Sequence, residues 1–253
     1  MSGRVNEVRS KNTQIMKTTS EIMQFKDWSA DWKRERKKKI DADQILKLWQ
    51  KPMPREWERE IWEGKLGYRK RSDNKGEQCI EKELFDGGSN GFELVFSDQQ
   101  PNAEYRVKAI YHNMPLANRR EGQVIADAFG VLKSGKSVRP LFIEVKVTAN
   151  DPWFALVENL QQIRLARACA QKIQTFVHEN TEYRVERGVW GLILAPESFY
   201  ENHSSNLAKC KPLLDALKQT TRARVAFGSS DSLASGQIKI ITQNWLAKAD
   251  DYR

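Results

Sequence analysis

Polar and apolar positions divide the chain into segments of different period. Residues 13–50 read as mostly helical, and Pro52 and Pro54 end that pattern. A second short helix is predicted over 55–63, followed by a basic loop over 64–76. From Gly76 the texture changes. Cys79, Ile80, Leu84 and Phe85 recur at helical spacing, and the GGSNG run at 87–91 stops them. Four β-rich runs follow: FELVF (92–96), YRVKAIY (105–111), VIADAFGVL (124–132) and PLFIEVKVT (140–148). Pro101-Asn102 and KSGKS (133–137) supply turns between them. Asp151-Pro152 opens a helix that runs to about Ile173, because Asp caps a helix and Pro is tolerated at its first position. GVWGLILA (188–195) is a continuous apolar run, the pattern of a strand covered on both faces. A helix over 206–219 and strands over 223–227 and 237–242 complete an order that predicts an α/β fold.

The charge is placed unevenly. The 253 residues carry a formal net charge of +9. Residues 1–75 hold 20 Lys+Arg against 12 Asp+Glu, whereas the rest hold 22 against 21. A basic, Trp-rich, helical N-terminal segment (1–75) is therefore expected beside a nearly neutral domain (76–253). Its densest part is WKRERKKKI (32–40), with Lys33, Arg34, Arg36, Lys37, Lys38 and Lys39. Cations packed this closely predict a polyanionic partner, most simply nucleic acid. Trp28, Trp32, Trp49, Trp57 and Trp62 lie in the same segment. They are expected to pack it onto the body, since Trp buries a large apolar area. Three cysteines without CxxC spacing form neither a disulfide framework nor a four-Cys metal site. No apolar run is long enough to span a membrane, and the N-terminus has no apolar signal core, so an intracellular, cytoplasmic protein without a membrane partner is expected.

The chemistry concentrates between Asp127 and Gln162. With the KSGKS turn centred between Gly135 and Lys136, opposed residues of the hairpin sum to 271. Asp127 then faces Glu144 across the ladder, where Cβ atoms stand about 4.5–5.5 Å apart. Two carboxylates so placed repel unless a cation or a shared proton compensates. Lys146, two residues beyond Glu144, leaves by the same face, while Ile143, Val145 and Val147 take the other as a core face. Two hard oxygen donors suit Mg²⁺, with Mn²⁺ able to substitute. A lysine beside them can orient or help deprotonate water, or offset phosphate charge. Together these are the parts of a phosphodiester hydrolase.

The string IADAF, a hairpin, then FIEVKV resembles the PD-(D/E)xK nuclease superfamily: an acid on one strand and E-x-K on the next. The resemblance spans roughly residues 76–196. It implies a restriction-endonuclease-like central mixed sheet flanked by helices, here with an N-terminal helical basic extension. It also implies a Mg²⁺-dependent nuclease acting on DNA, most simply a double-stranded substrate, of restriction or defence type, in a class whose single-motif members often form homodimers to cut both strands. Asp127 and Glu144 would hold the metal and Lys146 would serve catalysis beside them. The family's preceding helix often adds a Glu, for which Glu81 is the candidate and Glu77 its rival. The following helix often adds a Gln, for which Gln162 is preferred to Gln161. The Pro that names the motif is missing: Ala126 precedes Asp127. A non-catalytic nucleic-acid-binding module on the same fold is the alternative. GVLKSGKS (130–137) also matches a phosphate-binding P-loop in letters, but a strand follows it where a long helix is required, so the match is read as accidental. His112, His178 and His203 show no metal-ligand spacing and are expected at the surface or in polar contacts.

Overall fold

The structure, a computed structural model, describes residues 19–38, 41–52, 76–87, 91–96, 105–117, 124–148, 150–221, 223–243 and 245, with side chains from 27 onward apart from residues 115, 117 and 180. The helix expected over 55–63, the basic loop up to residue 75, the turn at 101–102 and Lys39 lie outside the described residues.

Helices α1 (Thr19–Arg36) and α2 (Ala42–Gln50) come first, then α3 (Glu77–Asp86). Strands β1 (Phe92–Phe96), β2 (Tyr105–Ala117), β3 (Val124–Ser134) and β4 (Ser137–Val145) follow. Helices α4 (Pro152–Ala168) and α5 (Ala170–Asn180) lead to β5 (Arg184–Val185) and β6 (Trp190–Ala195). Helices α6 (Glu197–Asn202) and α7 (Ser204–Thr220) precede β7 (Arg224–Ser229) and β8 (Gln237–Gln243).

The strand order is β3-β2-β1-β8-β7-β6-β4-β5, and β3 also pairs with β4. That extra pairing closes seven strands into a ring, with β5 attached to β4 beyond it. The expected open, restriction-endonuclease-like sheet is therefore corrected: the chain forms a closed seven-stranded mixed β-barrel with flanking helices. The physical reason lies in β3. It is long enough to pair with β2 over Tyr105–Ala117 and with β4 over Ser137–Ile143, so the strand at the end of the order is taken up on both sides. The mixed character survives, since β4–β6, β6–β7 and β1–β8 are parallel while β1–β2, β2–β3, β3–β4 and β7–β8 are antiparallel.

Alternation along the strands produces two apolar clusters. One face carries Phe129, Val131, Phe142, Ile193, Val225 and Phe227 against the helices. The other gathers Leu94, Ala128, Ile143, Val145, Leu192 and Ile238, with Ile80 and Leu84 of α3. Trp28, Trp32 and Trp49 are buried in the first cluster. These three tryptophans thus pack α1 and α2 onto the body, as their size predicts, while Trp57 and Trp62 lie outside the described residues. β6 is buried at every position, matching its unbroken apolar run. α4 is the central helix: 12 of its 17 residues are buried. Asp151 caps it by accepting from the Phe154 N–H at 2.8 Å, and Pro152 follows as the first helical residue. The helix predicted to reach Ile173 is interrupted at Cys169, and α5 restarts after it. α4 approaches β6 closely at Gly191, where a Cβ would stand 1.8 Å from Asn159 Oδ1. Among the described residues, no helix is long and apolar enough to cross a membrane. All three cysteines are free.

Candidate active site

The site is built by the end of the β3–β4 hairpin remote from its turn. From Ser134–Ser137 to Ala128–Ile143 every paired position sums to 271, and Gly135 (φ 55) makes the turn. The expected register holds over these pairs, and Asp127 and Glu144 are the residues that follow the last of them. There the side chain enters the ladder: Asp127 Oδ2 accepts the Val145 N–H at 2.8 Å. The strand continues its pairing with β6 through Lys146, whose N–H donates to the Leu194 carbonyl at 2.9 Å. Ile143 and Val145 point into the apolar face behind, and partly buried Val147 packs against it.

Glu144 is 2% exposed and Lys146 6%, unusual for such residues. Lys146 Nζ donates to Glu144 Oε1 and lies 3.2 Å from Glu158 Oε2. Gln162 Nε2 donates to Glu144 Oε2 at 2.6 Å and to the Ile125 carbonyl at 3.2 Å. Its own carbonyl oxygen accepts from Asn159 Nδ2, which also bonds the Phe142 carbonyl, both at 3.1 Å. Glu144 is thus clamped from the strand by Lys146 and from α4 by Gln162. Gln161 turns elsewhere: its amide donates to Ser29 on α1.

α3 brings both of its candidate acids toward the same place, since positions four apart share a helical face. Glu81 is 5% exposed and bonds His112 Nε2 on β2. His112 is 3% exposed and edge-on to Phe85, so it is a buried polar contact. Glu77 is half-buried, and its carboxylate accepts from the backbone at Val147.

The electrostatics follow from burial. Burial pushes the Asp127 carboxyl up to about 7, against the pull of Lys146 and the Val145 N–H. Glu144 is pushed well above the carboxylate range, by burial first and then by the charges of Asp127 and Glu158. Burial also raises Glu77. Burial alone would raise Glu158 too, but Lys146 and Arg36 outweigh it and hold that carboxyl below its ordinary value. For Lys146, burial favours loss of the proton, and the three carboxylates Glu144, Asp127 and Glu158 reverse this, so it stays an ammonium. The cluster therefore carries more acid than its two cations, Lys146 and Arg36, can balance.

Glu158 and the inward course of Arg36 were not foreseen. Glu158 stands four residues before Gln162 on α4, so the helical repeat alone places both on one face. Within the basic run, Lys33, Arg34, Lys37 and Lys38 are exposed, whereas Arg36 pairs with Glu158. The P-loop-like string forms the hairpin turn, with Lys136 exposed and no helix after it. Among the described residues, no three His, Cys, Asp or Glu side chains are arranged as a ready-made metal cage. The donor chemistry nonetheless fits a hard divalent ion, which needs only one or two protein carboxylates. Asp127 and Glu144 offer such oxygens at a place where burial and neighbouring acids make both carboxyls hold their protons more tightly, so a bound cation would take the place of those protons. In comparisons with known protein families, with curated proteins and with solved structures, the chain finds no match.

Proposed function

We propose that the protein is a metal-dependent nuclease that hydrolyses phosphodiester bonds of DNA, and that its active site is of the PD-(D/E)xK type mounted on a closed barrel. The observation that carries this reading is the placing of half-buried Asp127 beside buried Glu144 at the end of one hairpin, with Lys146 fixed against Glu144. Mutually repelling acids held out of water cost stability, and a fold has no structural need to place them together. A bound Mg²⁺ would offset their charge and act as a Lewis acid on the scissile phosphate.

The chain's own groups divide the remaining work. Asp127 and Glu144 would hold the ion through their carboxylate oxygens. Gln162 fixes the Glu144 carboxylate from α4, so the oxygens are set before substrate arrives. Lys146 stays protonated between carboxylates, which favours charge neutralisation and hydrogen-bond donation to a phosphate oxygen over service as a base. Glu77 and Glu81 add negative charge from α3, where Glu81 is held by His112. The exposed cations Lys33, Arg34, Lys37 and Lys38 would supply sequence-independent affinity for the phosphate backbone.

The deciding experiment incubates the purified chain with supercoiled plasmid, linear duplex and single strands, in Mg²⁺ or in EDTA. Nicked, linear or end-trimmed products that form only with Mg²⁺ support the reading and distinguish endonuclease from exonuclease action. Intact substrates with Mg²⁺ and with Mn²⁺ refute it.

A further inference from the structure

The basic turn that ends α1 sends its cations in two directions. Lys33, Arg34, Lys37 and Lys38 face water. Arg36 turns inward, with 10% of its side chain exposed. Its Nη1 donates to Glu158 Oε1, and its Nη2 donates to Gln161 Oε1 at 3.0 Å. The guanidinium lies 5.4 Å from the centre of the Phe154 ring. The fork thus engages a carboxylate, an amide and a ring face at once, and of these the charge contact with the carboxylate is one that a lysine ammonium can also make. Two further bonds hold α1 to α4. Ser29 Oγ accepts from Gln161 Nε2 at 3.2 Å, and the Glu35 carbonyl accepts from Trp153 Nε1 at 3.3 Å.

The other oxygen of Glu158 faces the proposed active site, 3.2 Å from Lys146 Nζ. Lys146 in turn pairs with Glu144, which Gln162 clamps. From Arg36 through Glu158, Lys146 and Glu144 to Gln162, donors and acceptors alternate without a gap. An ammonium held between two carboxylates is fixed in direction. Held by one alone, it collapses onto that partner and is less available to a substrate. Glu158 can serve as the second holder only while its own buried charge is matched on the far side, and Arg36 is the cation there.

We propose that Arg36 is a positioning residue which, through Glu158, sets the direction of the Lys146 ammonium, so that the basic helix α1 is a working part of the site. The catalytic consequence rests on the nuclease reading; the geometric consequence does not.

Two readouts on the full chain test this. The first needs no activity. The side-chain NH₃⁺ resonance of Lys146, assigned by its disappearance in Lys146→Arg, is expected to shift in Arg36→Met and in Glu158→Gln. It should stay near its original position in Arg36→Lys and be unmoved by Lys172→Ala, a change at an exposed site on α5. An unmoved resonance in Arg36→Met overturns the proposal. The second readout is cleavage of duplex DNA with Mg²⁺. Arg36→Met is expected to lower kcat about 10–100-fold, the usual effect of losing a group that orients a site residue, with KM nearly unchanged. Arg36→Lys should recover most of that loss. If kcat falls only in proportion to folded protein, and Arg36→Lys does no better than Arg36→Met, Arg36 is a strut between helices and the proposal fails. Absence of cleavage by the unaltered chain would sink the nuclease reading, and the resonance would still decide the role of Arg36.

Discussion

The two ends of the β3–β4 hairpin carry charge in opposite ways. At the turn, Lys136 is exposed, Lys133 reaches the Tyr183 hydroxyl at 2.8 Å, and Arg139 pairs with a partly exposed Glu186. The cations there meet water, a tyrosine, or, for Arg139, one acid and the face of Trp190, with no second acid crowded against them in the pairs seen. At the far end, Glu144 and Lys146 are withdrawn from water with Asp127 half-buried beside them, and acids outnumber cations. The strands, register and apolar packing are shared, so the hairpin as a structural unit does not account for the difference. Buried and unbalanced charge is where the molecule gives up stability, and it is there that chemistry is to be sought.

The sharpest way to break this contrast is to remove charge from each end. Glu144→Ala or Asp127→Ala should lower cleavage on the order of 10³-fold or more, while DNA affinity measured in EDTA stays nearly unchanged. Lys136→Ala at the turn should leave cleavage unaltered and reveal no nucleotide binding to lose. Gel assays and fluorescence anisotropy of the same preparations check both ends.

A pair of glycines gives the next test. Gly191→Ala would drive a Cβ against Asn159, which holds Gln162, and is expected to cost about 1–3 kcal/mol and to slow cleavage. Gly135→Ala meets open space and suffers only its left-handed backbone, costing about 1–2 kcal/mol with no effect on rate. Urea unfolding beside the cleavage assay separates the two. A smaller effect concerns pH. The Asp127 carboxyl rises from 3.8 to about 7 on folding, so in that interval the unfolded chain releases its proton first. In EDTA, stability contributed by this group is therefore present below about pH 4 and is lost as pH rises toward 7. Asp127→Asn should raise Tm at pH 8 and change little at pH 4. The mildest effect belongs to α1: Lys33→Ala, Lys37→Ala or Lys38→Ala should each reduce the slope of log affinity against log salt by about 1.

Much of this was legible in the chain. The Gly135-Lys136 turn and the alternation around it set the 271 register, and from it the opposition of Asp127 and Glu144. The Asp-Pro start of α4 and the apolar run of β6 were equally local signals. Barrel closure was not, because it depends on β3 using both edges, and side-chain period says nothing about which strands meet at a distance. Glu158 could have been found by stepping back four residues from Gln162. Arg36 could have been found in the same way: it stands four residues after Trp32 and eight after Trp28, on the face of α1 that the tryptophans bury, whereas its basic neighbours lie off that face.

The central claim is that Asp127 and Glu144 together hold a divalent ion. Calorimetric titration of Mn²⁺ into the chain at pH 8 tests it most directly. The account predicts measurable binding that disappears in Asp127→Asn and in Glu144→Gln while both variants remain folded. Binding of equal strength in all three proteins, or none in any, would contradict it.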